Sequence, residues 1–161
     1  GSEAAIPGLI KLIEDPESSV RSSAAEALGK IGSEAAIPGL IKLIEDPESS
    51  VRFRASDALG QIGSEAAIPG LIKLIEDPES SVRSSAAEAL GKIGSEAAIP
   101  GLIKLIEDPK YSVRSSAAEA LGKIGKKTSS LATSLAQWIQ EHQDSKYVGD
   151  AINLLWDLVC G

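Results

Sequence analysis

Aromatic side chains make up only 3% of this sequence, and methionine is absent. A core made from what remains must be aliphatic, drawn from Ala, Leu, Ile and Val. Such residues suit helices that approach closely better than the aromatic-lined pocket a cofactor favours. Cysteine occurs once, at Cys160, so no internal disulfide can form. That usage fits a cytoplasmic protein. No apolar run reaches the roughly 18 residues that span a bilayer, and no signal-peptide pattern is present, so no membrane role is expected. Basic residues are outnumbered, 16 Lys and Arg against 23 Asp and Glu, for a net charge of −7. An acidic surface repels phosphate backbones and argues against nucleic acid as a partner. The chain starts at Gly1 without an initiator methionine, and a processed or excised piece is expected.

Repetition dominates the 161 residues, which suffice for one domain with a sizeable core. The string GSEAAIPGLIKLIEDPESSVRSSAAEALGKI fills residues 1–31 and recurs over 32–62, 63–93 and 94–124, and the third copy is identical to the first. Residues 125–161 diverge. They are expected to form a degenerate fifth hairpin that caps the same domain.

Each copy encodes two helices. Ser2 is an N-cap candidate before a run whose apolar positions, Ile6, Leu9, Ile10 and Ile13, fall at offsets 0, 3, 4 and 7. This predicts a helix from Glu3 to about Glu14, bent where Pro7 removes an amide donor. Asp15 is the expected cap of the second helix, with Pro16 at its first position. Val20, Ala24, Ala27, Leu28 and Ile31 form its apolar face, Glu26 and Lys30 pair weakly on the other side, and Gly32 ends it in a left-handed turn. In the tail, Leu131, Leu135, Trp138 and Ile139 space as one helix. Val148, Ile152, Leu155, Trp156 and Val159 repeat the second-helix offsets. Trp138 and Trp156 are expected to seal that end or, as the second choice, to face an attached partner. The first copy is an ordinary interior one, so its outer face should be apolar and open. Either preceding repeats or end-to-end self-association would cover it.

Proline in the first helix, aspartate eight residues on and arginine six further on recur as Pro7, Asp15 and Arg21, then Pro38, Asp46 and Arg52, then Pro69, Asp77 and Arg83, then Pro100, Asp108 and Arg114. This pattern resembles the HEAT-like repeat family, most closely its short bacterial branch of phycobilisome-lyase type. The resemblance covers about three quarters of the chain. It implies an all-α, right-handed α-solenoid of stacked antiparallel hairpins, a structural ladder of these aspartates and arginines, and a concave face of second helices that binds other proteins. Gly149 stands where the next arginine would be, so the ladder should stop there.

No catalytic constellation, metal-ligand spacing or phosphate-binding loop is legible, and neither an enzyme nor a cofactor is expected. His142 falls in a predicted loop and Cys160 lies beside the C-terminus, each without a placed partner. What carries information is departure from the repeat. Phe53 and Arg54 replace two serines of the second helix, Asp57 and Gln61 replace Glu and Lys, and Lys110 and Tyr111 replace Glu and Ser. Aromatic and arginine side chains are typical interface anchors. Phe53, Arg54, Asp57, Lys110 and Tyr111 are therefore the candidate contact residues for a protein partner. Ser56, in place of Ala, is read as structural. Two other settings fit the same sequence: a fragment of a larger cyanobacterial sensor or chromophore-lyase-type protein, and an engineered repeat array without a native ligand.

Overall fold

A computed structural model describes residues 2–161, and the described residues are helical with no strand. The four copies supply α1 (Ile6–Leu12) and α2 (Ser18–Ile31), α3 (Ile37–Leu43) and α4 (Ser49–Ile62), α5 (Ile68–Leu74) and α6 (Ser80–Ile93), and α7 (Ile99–Lys104) and α8 (Tyr111–Gly125). The tail adds α9 (Ser130–Glu141) and α10 (Val148–Cys160). The result is an all-α solenoid of stacked helical hairpins.

Two local expectations are corrected. The first helix of each copy is not one bent helix. A short 3-10 turn, such as Glu34–Ala36, precedes an α-helix that begins at the isoleucine before the proline. The proline thus falls in the first turn, where its missing amide costs nothing. Nor does Asp15 cap the second helix. Glu17 takes the extended cap position, and the Asp15 carboxylate accepts its backbone N–H at 2.9 Å. That local turn frees the aspartate's outer edge for another partner.

Gly32, Gly63 and Gly94 end α2, α4 and α6 at φ near +70°, each donating its N–H to the carbonyl of Leu28, Leu59 or Leu90. The left-handed conformation suits glycine. Gly125, the fourth equivalent, stays helical, and the chain leaves α8 through Lys126 in a right-handed conformation. The fifth hairpin is therefore set differently on the stack.

Second helices of successive copies approach closely. A methyl placed on Gly29 would lie 2.7 Å from the Ala58 Cα, and Gly60 and Gly91 meet Ala89 and Ala120 in the same way. On the other side, Ile10, Ile41 and Ile72 stand between neighbouring first helices and reach Gly39, Gly70 and Gly101. Second helices thus approach one another backbone to backbone, while isoleucine side chains fill the space between first helices. Leu28, Leu40, Leu59, Leu71, Leu90, Leu102 and Leu121 are fully buried between these layers. Neighbouring repeats bury one another's apolar faces, as in other solenoids.

Both ends leave apolar surface open. Leu12 is 42% exposed, whereas its equivalents Leu43 and Leu74 are each 3% exposed. At the other end Trp138 is buried, but Trp156 is 66% exposed beside exposed Ile152 and Val159 on the outer face of α10. The expected seal is thus provided by Trp138 alone. Trp156 projects outward because α10 does not lie over α8 as α8 lies over α6, and Gly122 has nothing within 4 Å of its missing side chain.

Candidate functional site

The second helices carry two kinds of polar side chain, and the ladder is the more buried. Arg21 donates from Nε and Nη2 to the Asp46 carboxylate at 2.7 and 3.0 Å. Arg52 does the same to Asp77 at 2.6 and 3.0 Å, and Arg83 to Asp108 at 2.6 and 3.0 Å. Each arginine also uses Nη1 on carbonyls at the start of its own hairpin's second helix, for Arg52 those of Asp46 and Pro47. Bidentate pairing of this kind is strong and directional. It places an anion beside each arginine in the first helical turn, where the helix dipole disfavours a cation. Burial pushes the Asp46 and Asp108 carboxyls up, but hydrogen bonds from Arg21 or Arg83 and from the backbone N–H two residues on outweigh it. Both sit below the ordinary aspartate value. Arg52 and Arg83 are raised above the ordinary arginine value, chiefly by their hydrogen bonds to Asp77 and Asp108. At the ends the pattern lapses. Asp15 faces no ladder arginine, and Arg114 has no ladder aspartate ahead of it.

The five candidate contact residues fall into two groups, and no contact joins them. In the second copy Phe53 is half-buried and packed against the core, and the Ser85 hydroxyl donates to its carbonyl at 3.4 Å. That bond sets its backbone against α6 of the next hairpin. Arg54 is exposed, lies 5.7 Å from the Phe53 ring centroid and approaches Glu26 of the first copy at 4.0 Å. Lys30 chiefly holds the Glu26 carboxyl below its usual value, and Arg54 adds to the effect. Asp57 accepts from Gln61 at 2.9 Å and from Lys92 of the third copy at 3.2 Å. The departures in the second copy therefore form polar links to both neighbours. In the fourth copy, Lys110 is the extended cap of α8 and donates its backbone N–H to Asp108 at 2.9 Å. Tyr111 begins α8 and is 75% exposed.

Sequence reasoning missed these cross-repeat links, although their spacing was available. Glu26 and Arg54 are 28 residues apart and Asp57 and Lys92 are 35 apart, one period less or more by about a helical turn. It also missed the surroundings of Arg114, whose guanidinium lies 4.7 Å from the Tyr147 ring and 3.9 Å from Asp150. Ser56 is fully buried and its hydroxyl has no partner.

His142 is not a free loop residue. It ends α9, donates from Nδ1 to the Trp138 carbonyl at 2.9 Å and stacks on the Trp138 ring with centroids 4.4 Å apart. Cys160 is an exposed free thiol. Among the described residues no cluster of three His, Cys, Asp or Glu could hold a metal, and no helix is long and apolar enough to cross a membrane.

Comparison with known proteins places this geometry. The family described as HEAT repeats matches residues 6–88, 37–122 and 68–156. No curated protein matches the chain. Among solved structures, the complex of CpcE and CpcF of phycocyanin lyase from Nostoc sp. PCC7120 contains a similar chain, 28% identical with a TM-score of 0.75. That match covers 97% of this chain and 65% of the other, so this chain spans slightly less than two thirds of its length. An engineered protein is 25% identical, with a TM-score of 0.65 over 96% of this chain and 79% of its own. A designed armadillo repeat protein in complex with the peptide (KR)4 shares the fold at 21% identity, with a TM-score of 0.71 over 96% of this chain and 82% of its own.

Proposed function

The chain belongs to the HEAT-repeat family, and from that premise we propose that it is a non-catalytic interaction module that holds another protein on the concave face of its second helices. One observation carries the reading. Every departure among the four copies lies on a second helix or at its cap, and all but Ser56 are at least partly exposed. The first helices and the packing leucines do not vary at all. Departures gathered on the second helices, most of them with exposed surface, are the pattern expected when that side of the stack meets something besides the adjoining repeats. Arg54, Asp57 and Lys110 offer charge there, Tyr111 an exposed ring and Phe53 an edge of one.

A test is capture of a partner by the chain and by a combined Phe53→Ser, Arg54→Ser and Tyr111→Ser variant. These changes restore residues that the third copy accommodates at the same places, so folding is kept. A protein retained by the unchanged chain and lost by the variant supports the reading. Equal retention by both places the contact elsewhere.

A second reading is favoured by the likeness to a chain of the phycocyanin lyase complex. A subunit of a chromophore-lyase-type assembly would use the same surface to hold its companion chain. End-to-end self-association is a further proposal, motivated by open Leu12 at one end and Trp156 at the other. Sedimentation velocity across a hundredfold concentration range tests it, and a constant monomer would remove it.

A further inference from the structure

The fourth rung of the ladder lacks its carboxylate. Arg114 reproduces half of the arrangement seen at Arg21, Arg52 and Arg83. Its Nη1 donates to the carbonyls of Asp108 and Pro109 at 2.8 and 3.3 Å, so the guanidinium is anchored as in the other three. The other edge differs. Where Nε of its counterparts donates at 2.6–2.7 Å, Nε of Arg114 is buried and has no hydrogen-bond partner. Asp150 stands 3.9 Å away on the first turn of α10, too far to accept a hydrogen bond and largely exposed. A buried donor on a cation is costly to leave unpaired. Beside it, α8 and α10 are parted by an open cleft of about 250 Å³, whose lining includes Tyr111, Arg114, Asp150, Asn153 and Asp157.

We propose that this cleft binds a carboxylate of a partner polypeptide, which completes the rung on Nε and Nη2 of Arg114 and displaces Asp150. The chain itself shows the chemistry three times, with a planar two-oxygen anion seated on the same edge of the same arginine. A singly charged carboxylate suits the site better than a phosphate, because Asp150 and Asp157 line the same cleft and repel a second charge. Asp150 can give way at little cost, since its ion pair is long and solvent-exposed. The exposed ring of Tyr111 flanks the entrance and gives the residue carrying the carboxylate an apolar surface to lie on. The inference rests on reading the second-helix face as the contact surface and states what the partner brings to one end of it.

The test is NMR of the Arg Nε–Hε signals of the full chain, titrated to tens of millimolar with three probes. These are acetyl-Ala-Asp-Ala-amide, acetyl-Ala-Ala with a free C-terminus, and acetyl-Ala-Asn-Ala-amide. With one or both acids, the Arg114 signal should move saturably toward the positions of Arg21, Arg52 and Arg83, which stay still. The Asn probe should leave it unmoved. Asp150→Asn should tighten the response several-fold by removing the competing carboxylate. Response to the Asp probe alone identifies a side-chain carboxylate, and response to the free C-terminus alone identifies a chain end. Three results would overturn the proposal: an Arg114 signal that already sits with the other three before titration, no saturable shift with either acid, or equal shifts with the Asn probe. The Phe53→Ser and Arg54→Ser changes should leave the Arg114 response intact, so failure of the groove reading and failure of this site are told apart.

Discussion

Alanine at Gly60 should leave the chain less stable than alanine at Gly122, although both glycines occupy the same place in the repeat. At Gly60 the added methyl would stand 2.8 Å from both the Cα and the Cβ of Ala89. Carbon atoms pack at about 3.5–4.0 Å, so α4 and α6 must separate by several tenths of an ångström or more. Overpacking of this kind costs about 1–3 kcal/mol. At Gly122 nothing lies within 4 Å, so no contact opposes the methyl. Both variants share the helix-propensity gain of alanine over glycine, about 1 kcal/mol. Their difference therefore isolates packing, and should be about 1–3 kcal/mol in favour of Gly122→Ala. For a chain of this size each kcal/mol shifts Tm by about 2–4 °C. Urea unfolding followed by far-UV circular dichroism, with an unchanged slope, gives the comparison. If Gly122→Ala destabilised the chain as much as Gly60→Ala, the claim that second helices touch backbone to backbone only within the four copies would be wrong.

Four further outcomes follow from the same structure. Ser56→Ala should stabilise by about 1 kcal/mol in thermal melts, because it removes a buried, unpaired hydroxyl and restores the alanine of the other copies. Asp77→Ala should cost about 3 kcal/mol by stranding Arg52, while Asp15→Asn, with no ladder arginine opposite, should be nearly neutral. The carboxyls of Asp46 and Asp108 are depressed in the folded chain, so acid protonates the unfolded chain first. Their contribution is whole above about pH 4 and is lost as pH falls through the lower folded values, which a pH series of urea midpoints should show. Leu59→Ala, in the fully buried layer, should cost about 2–5 kcal/mol in the same urea assay.

Much of the architecture was legible because the period is strict. The 31-residue repeat gave the hairpins, and the left-handed glycines marked where the second helices stop. The start of each helix was harder. A proline and an aspartate read alone suggest a kink and a cap, but a 3-10 turn moves the proline into a first turn and the aspartate turns toward the arginine of the preceding repeat. The candidate contact residues were visible as departures, yet their surroundings were not. Phe53 packs inward and Arg54 and Asp57 bind across repeats, which depends on how closely hairpins stack. Trp156 and Arg114 were the least legible. Both depend on the setting of α10, and the sequence after Gly125 no longer follows the repeat that would fix it.

The central claim is that the varied face of the second helices is where another protein rests. Hydrogen exchange of the chain with and without a captured, purified partner tests it directly. Added protection is expected at the start of α8 and along α4, with the first helices unchanged. Protection confined to the first helices, or none on any helix, would contradict it.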